Sequence, residues 1–180
     1  MSSEPGPPPP TRPTRPAGRQ YCTFWVADLF LGVDVLDVQE VIRYQQMTDV
    51  PRAPGVVSGL INLRGQIVIA IDLRRRLGLP DRTGELPMNV VVRSGEEVLS
   101  LLVDDIEEVV DVDPADREPV PTTLRGAARE LLTATYKLPG RLLLELDTAA
   151  AVDLDRLEPA AAPLTGTTHP SPTTLVGALP

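Results

Sequence analysis

Carboxylates are the only reactive side chains this sequence holds in quantity: 25 Asp and Glu stand against 17 Lys and Arg, with a single histidine and a single cysteine. The pairs Asp104-Asp105 and Glu107-Glu108 have the residue type that two-carboxylate acid–base hydrolysis requires. Acidic runs at strand ends, however, are ordinarily solvated faces. The one histidine, His169, falls in a Pro- and Thr-rich terminal stretch, a poor place for a positioned acid or base. One cysteine, Cys22, and one histidine cannot assemble a Cys/His zinc site or an intrachain disulfide, and Cys22 reads as a small buried hydrophobe. The sequence also lacks a phosphate-binding loop, a Gly-rich dinucleotide turn and a Gly-x-Ser-x-Gly elbow. These residues argue against an enzyme, and neither a metal nor a cofactor is expected.

Charge and composition narrow the partners. The formal net charge is −8. Residues 1–19 hold Arg12, Arg15 and Arg19 against Glu4, and residues 159–180 hold no formal charge, so the acidity is concentrated in the body between them. An acidic body disfavours a nucleic-acid partner, which would need clustered Lys and Arg. Aromatic residues make up only 3% of the chain, so the core must come from Val, Leu and Ile, residues that favour strands. The start of the chain lacks an apolar run behind a basic segment, and no stretch approaches the roughly 18 apolar residues of a membrane span. A cytoplasmic location is the expectation.

Pro-rich residues 1–19 and Pro/Ala/Thr-rich residues 158–180 read as disordered tails around a domain at 20–157. Within the domain, Tyr21–Val26 reads as a strand and Ala27-Asp28 as a turn. Leu31 to Ile42 reads as one strand, or as a strand entering a short helical turn. The runs Leu60–Leu63 and Gln66–Ile71 flank Arg64-Gly65 as a tight hairpin, with Gly65 supplying a positive φ. Asp72 reads as the cap of a short helix that ends at Gly78. Strands follow at Asn89–Arg93, Glu97–Val103 and Leu142–Leu146, with a helical turn within 123–133. A closing helix behind Asp147 carries Leu154 and Leu157.

Two segments recur. Ile61 to Asp72 and Tyr136 to Asp147 share one pattern when Gly140 is placed 75 residues after Gly65. Val35 to Val41 matches Val103 to Val109 with Glu108 placed 68 residues after Glu40. Each half therefore reads as one small barrel of about five strands, with the split near 80–90. An aliphatic cleft between two barrels would suit a helical partner.

The stretch GLINLRGQIVIAIDLR, Gly59 to Arg74, closely resembles the signature of CheW-type coupling proteins. Flanking stretches agree: Leu31-Gly32-Val33-Asp34-Val35, Val38-Gln39-Glu40-Val41, the Pro51 and Pro54 loop, and Leu101-Leu102-Val103-Asp104. The resemblance covers about residues 20–157. Ser100 and Ala134 depart from it, standing where the family often has glycine, and Pro139-Gly140 stiffens the second hairpin. What the resemblance implies is an all-β fold with short helices, built of two SH3-like five-stranded β-barrel subdomains. It further implies a non-catalytic adaptor with two partners, the regulatory domain of a CheA-type histidine kinase and the cytoplasmic tip of a methyl-accepting chemoreceptor. By matching position, Val38, Glu40 and Arg64 lie at receptor contacts, Val33 and Val103 line the groove, and Gly59 lies near the kinase-facing region. On the residues alone, Arg64 is a solvated turn residue or a partner for Glu40, while Asn62 braces the turn or is simply polar. Two other readings are a coupling protein of a divergent motility, pili or developmental pathway, and a small-molecule-binding barrel with a large closed pocket.

Overall fold

The computed structural model describes residues 18–153, and both tails lie outside them apart from Gly18 and Arg19, as do Leu154 and Leu157 of the closing helix. The described chain holds eleven strands, three short α-helices and one 3-10 turn, Pro114–Asp116: β1 Arg19–Val26, β2 Leu29–Asp34, β3 Val38–Ile42, β4 Val57–Leu63, β5 Gln66–Asp72, α1 Leu73–Arg76, β6 Met88–Ser94, β7 Glu97–Val103, β8 Asp105–Val112, β9 Arg117–Glu118, α2 Ala127–Glu130, β10 Leu132–Leu138, β11 Arg141–Leu146 and α3 Thr148–Val152. They form an all-β fold of two sheets. The larger is ordered β8-β1-β2-β11-β10-β9, the smaller β3-β6-β7-β5-β4. The two-residue β9 gives the larger sheet a sixth strand that the five-strand expectation did not include. Arg19 belongs to β1, pairing with Val112, so the N-terminal tail ends earlier than residue 19.

Leu31 to Ile42 is neither one strand nor a strand entering a helix. β2 pairs in the larger sheet and β3 in the smaller, and the chain crosses between them at residues 35–37. It crosses back once more, at Asp104 between β7 and β8. The barrels therefore do not divide the chain near 80–90. That boundary, between α1 and β6, separates the sequence repeats instead, and the repeats exchange strands. β1 and β2 of the first repeat join β8, β10 and β11 of the second; β6 and β7 of the second join β3, β4 and β5 of the first.

The ladders are superimposable in register. In the first repeat Val26 pairs with Leu29, and 68 residues later Ser94 pairs with Glu97. The parallel ladder joins Ile69 to Leu99 and Ala70 to Ser100 in one sheet, and Leu144 to Leu31 and Glu145 to Gly32 in the other. Both hairpins end on the same kind of cap. Asp72 accepts from the Arg74 and Arg75 N–H groups at the start of α1, and Asp147 accepts from the Ala150 N–H at the start of α3.

Alternation along the inner strands places side chains in three cores. One face of β1 and β2 (Cys22, Phe24, Val26, Leu31, Val33) packs against one face of β6 and β7 (Val90, Val92, Leu99, Leu101, Val103) in a core shared by both sheets. The opposite faces fill each sheet's own interior: Tyr21, Phe30, Val112, Tyr136 and Leu143 in one, and Ile61, Val68, Ala70 and Leu102 in the other. Cys22 is buried and its thiol is pushed up by that burial.

Candidate docking surface

Arg64 and Gly65 occupy the tip of the β4–β5 hairpin, where Leu63 pairs with Gln66. Both have positive φ, 52° and 90°. This is the mirror-image turn that matches strand twist in two-residue loops, and it forces a non-glycine residue into the left-handed region. Asn62 Oδ1 accepts from the Gly65 N–H at 2.8 Å, holding the turn closed. In the second hairpin the equivalent of Arg64 is Pro139, whose ring fixes a negative φ, and the tip retains only Gly140 at φ 76°. The turn there must be of another type, with proline first and glycine second.

The Arg64 guanidinium donates from Nη2 to Glu40 Oε2 at 2.9 Å. The pair is lopsided, since the arginine side chain is 85% exposed and the glutamate 18%. β3 and β4 are the outermost strands of their sheet, so this contact links a hairpin tip at one edge to the strand at the other. Most of the arginine's donors still face solvent. Val38, two residues before Glu40, is half-buried against the shared core, whereas Val41 is exposed, and Leu36 on the crossing just before β3 is 89% exposed. The arrangement offers a carboxylate already oriented by a guanidinium, a cationic fork with free donors, and apolar neighbours on the same strand. Such a surface can bind a partner that presents both a carboxylate and an apolar face.

Val33 and Val103 do not belong to it. Both are fully buried in the shared core, because the space between the sheets is packed with side chains and is not an aliphatic cleft. A partner cannot touch them, and their position in a docking groove is corrected to one beneath it.

Gly59 is buried in β4 with φ 148°. A Cβ there would stand 2.7 Å from the Thr48 carbonyl oxygen, because residues 47–48 lie against β4 and Thr48 exchanges backbone hydrogen bonds with Leu60 at 2.9 and 2.8 Å. Gly59 is thus not itself a contact surface; it permits a close backbone approach. Just beyond it, Val50, Pro51, Ala53, Pro54, Val57 and Leu60 border an open apolar depression of about 320 Å³. Gly59→Ala should cost about 2 kcal/mol or more, from backbone strain and the clash with Thr48, measurable by urea unfolding.

Sequence reading missed two ionic clusters. In the first, Asp104 on the β7–β8 crossing accepts from the Ala27 N–H at 2.6 Å and from Arg74 Nε at 2.8 and 2.9 Å, with Arg74 Nη2 at 2.7 Å. Arg82 lies 3.4 Å from the same carboxylate and 3.6 Å from Asp72. Burial opposes ionisation of Asp104, but the Arg74 and Ala27 donors and the two guanidinium charges outweigh it and hold the carboxyl below the usual carboxylate range. In the second, Glu107 accepts from the Trp25 indole N–H at 2.7 Å and pairs with Arg141, whose guanidinium lies 4.1 Å from the centre of the Phe30 ring. Hydrogen bonds from Trp25 and Arg141 lower the Glu107 carboxyl as well. The acidic run read as a solvated face is therefore partly structural. Its one sequence signal was the Arg that follows Asp-Leu in the hairpin signature.

Among the described residues no group of His, Cys, Asp or Glu could hold a metal ion, and no helix is long and apolar enough to cross a membrane. A depression of about 360 Å³ beside Trp25 and Phe30 is likewise open to solvent.

Comparison with known proteins fits this geometry. The family model of the CheW-like domain matches residues 20–156. The chemotaxis protein CheW of Klebsiella aerogenes is 30% identical over 131 residues, covering 72% of this chain and 79% of that protein. CheW of Rhizobium meliloti is 30% identical over 134 residues, covering 73% and 86%. Protein FrzA of Myxococcus xanthus is 33% identical over 119 residues, covering 66% and 74%. Among solved structures, the scaffolding protein TtCheW of Thermoanaerobacter tengcongensis superposes with a TM-score of 0.67 at 26% identity, covering 78% of this chain and 91% of that one. A two-sheet β-fold of the scaffold type is the class these features define. This chain belongs to the CheW-like family, whose members are chemotaxis scaffold and coupling proteins.

Proposed function

We propose that this protein is an adaptor that couples chemoreceptor cytoplasmic tips to the regulatory domain of a CheA-type histidine kinase, without chemistry of its own. It would act in the cytoplasm, at receptor arrays beneath the inner membrane. The observation that carries the reading is the Glu40–Arg64 pair, which sets an exposed cation beside an edge strand in a member of this family. A receptor tip is helical, and a helix with a carboxylate and an apolar stripe would satisfy Arg64 while covering Val38 and its neighbours. The kinase would dock at the apolar depression beside Gly59, where Val50, Pro51 and Leu60 offer burial away from the receptor-facing pair.

The likeness to FrzA favours a second reading, in which the same surface serves a divergent chemosensory pathway. The two readings share the fold and differ in partners.

The test is binding of the full chain to the isolated kinase regulatory domain, by calorimetry. The expected result is one-to-one binding that Leu60→Glu, facing the depression, weakens at least tenfold. Absence of binding to the regulatory domain of every CheA-type kinase of the same organism would remove the kinase arm.

A further inference from the structure

The strand exchange has a consequence for how the two halves of the chain recognise each other. Within the first repeat the hydrogen-bonded ladders are only the hairpins β1–β2 and β4–β5, with β3 unpaired to either. A hairpin alone is marginal in water. Apart from the two-residue β9 on β10, the ladders that join hairpins into sheets run between repeats: β1–β8, β2–β11, β3–β6 and β5–β7. The shared core is divided likewise. Phe24, Leu31, Val33 and Ile71 come from the first repeat, and Val90, Leu101, Val103 and Leu144 from the second.

One covalent connection joins the repeats, residues 77–87, and its 83–86 portion is exposed. Its first part is pinned by ion pairs. Arg75 Nε lies 2.8 Å from Asp81, and Arg82 lies between Asp72 of its own repeat and Asp104 of the other. The pins end before Thr83. Leu77 and Leu79 pack on the shared core, but the connection adds no strand, and its exposed 83–86 portion adds nothing to the core.

We propose that the two repeats are separate association units, each the specific partner of the other, whether from the same chain or from a second copy. The first half builds no sheet of three strands, and the second reaches three only through the two-residue β9 on the edge of β10, so each carries the complement of what the other lacks. The molecule has the architecture of a strand-exchanged dimer closed by a linker, and two copies can trade halves without making any new contact.

The test cuts the full chain. A protease recognition sequence placed within residues 83–86 is cleaved in the folded protein. The halves should then elute together at the mass of the intact chain, with unchanged far-UV circular dichroism. Their melting temperature should become concentration-dependent, while that of the intact chain should not. Unfolding the cleaved protein with an isotope-labelled cleaved copy and refolding the mixture should give hybrid pairs by native mass spectrometry. Producing the halves as separate chains and mixing them should give the same complex, with no insertion to disturb folding. Halves that separate on cleavage, or either half running alone as a folded monomer, would overturn the proposal. Neither readout involves a receptor or a kinase, so the result is independent of the adaptor reading.

Discussion

Asp104→Asn should lower the unfolding free energy by about 3 kcal/mol at neutral pH, because it leaves two part-buried guanidinium groups short of their shared counter-charge. Asparagine keeps an acceptor for the Ala27 N–H and differs from aspartate chiefly in charge, so the loss reports the ionic contribution of Arg74 and Arg82. The same variant has a defined pH dependence. The Asp104 carboxyl is held below its ordinary value of 3.8 in the folded protein. A carboxyl depressed on folding contributes stability in full above its unfolded value and loses it as pH falls through the folded one. The gap between wild type and Asp104→Asn should therefore be constant from neutral pH down to about 5 and close below 3.8. Asp81 and Glu107 are also depressed, but they titrate in both proteins and cancel in the difference. Urea unfolding across that pH range checks it. A gap unchanged at acid pH would mean that the Asp104 charge contributes nothing.

Arg64→Glu should abolish receptor coupling, by at least tenfold in affinity, while the fold persists. The substitution turns an attractive pair into two carboxylates at the same tip and presents a negative charge to a partner selected for the opposite sign. Folding should change by no more than about 1 kcal/mol, because the arginine is 85% exposed and a surface pair contributes little. Part of that cost would come from Glu40, the less exposed member. Arg64→Lys would separate fork geometry from charge: a point charge keeps the attraction but cannot bind a carboxylate in two-pronged fashion. Co-sedimentation with receptor-tip helices, alongside circular dichroism, reads both properties. Undiminished receptor binding by a folded Arg64→Glu protein would remove this residue from the docking surface.

Sequence reading reached β1, β5, β6, β7 and β11, the β4–β5 hairpin and both helix caps because those signals are local, but it assigned no strand over Asp105–Val112 or Leu132–Leu138. Arg64-Gly65 between aliphatic runs, and Asp72 or Asp147 before a short helix, each declare themselves within a few residues. The repeat was equally visible, as the same Gly and the same terminal Asp in one register. Strand exchange was not, since a repeated sequence is compatible with two barrels side by side or with two barrels that trade strands. The deciding information is the crossing at residues 35–37, where Val35, Leu36 and Val38 are aliphatic and look like continued strand. The same ambiguity misplaced Val33 and Val103. In inner strands both faces are buried, so an aliphatic residue that matches a groove position can lie under the groove and never reach its surface. Asp104 and Glu107 were hidden for a related reason: an acidic run carries no mark of which carboxylates will meet an arginine distant in sequence.

In the proposed role this chain joins two partners through separate surfaces and transforms neither. Sedimenting receptor-bearing membranes mixed with a CheA-type kinase, with and without the protein, reads that role. The kinase should pellet with the membranes only when the protein is added, and the Arg64→Glu variant should fail to carry it down. Kinase left in the supernatant at saturating wild-type protein, or one partner displacing the other, would contradict it.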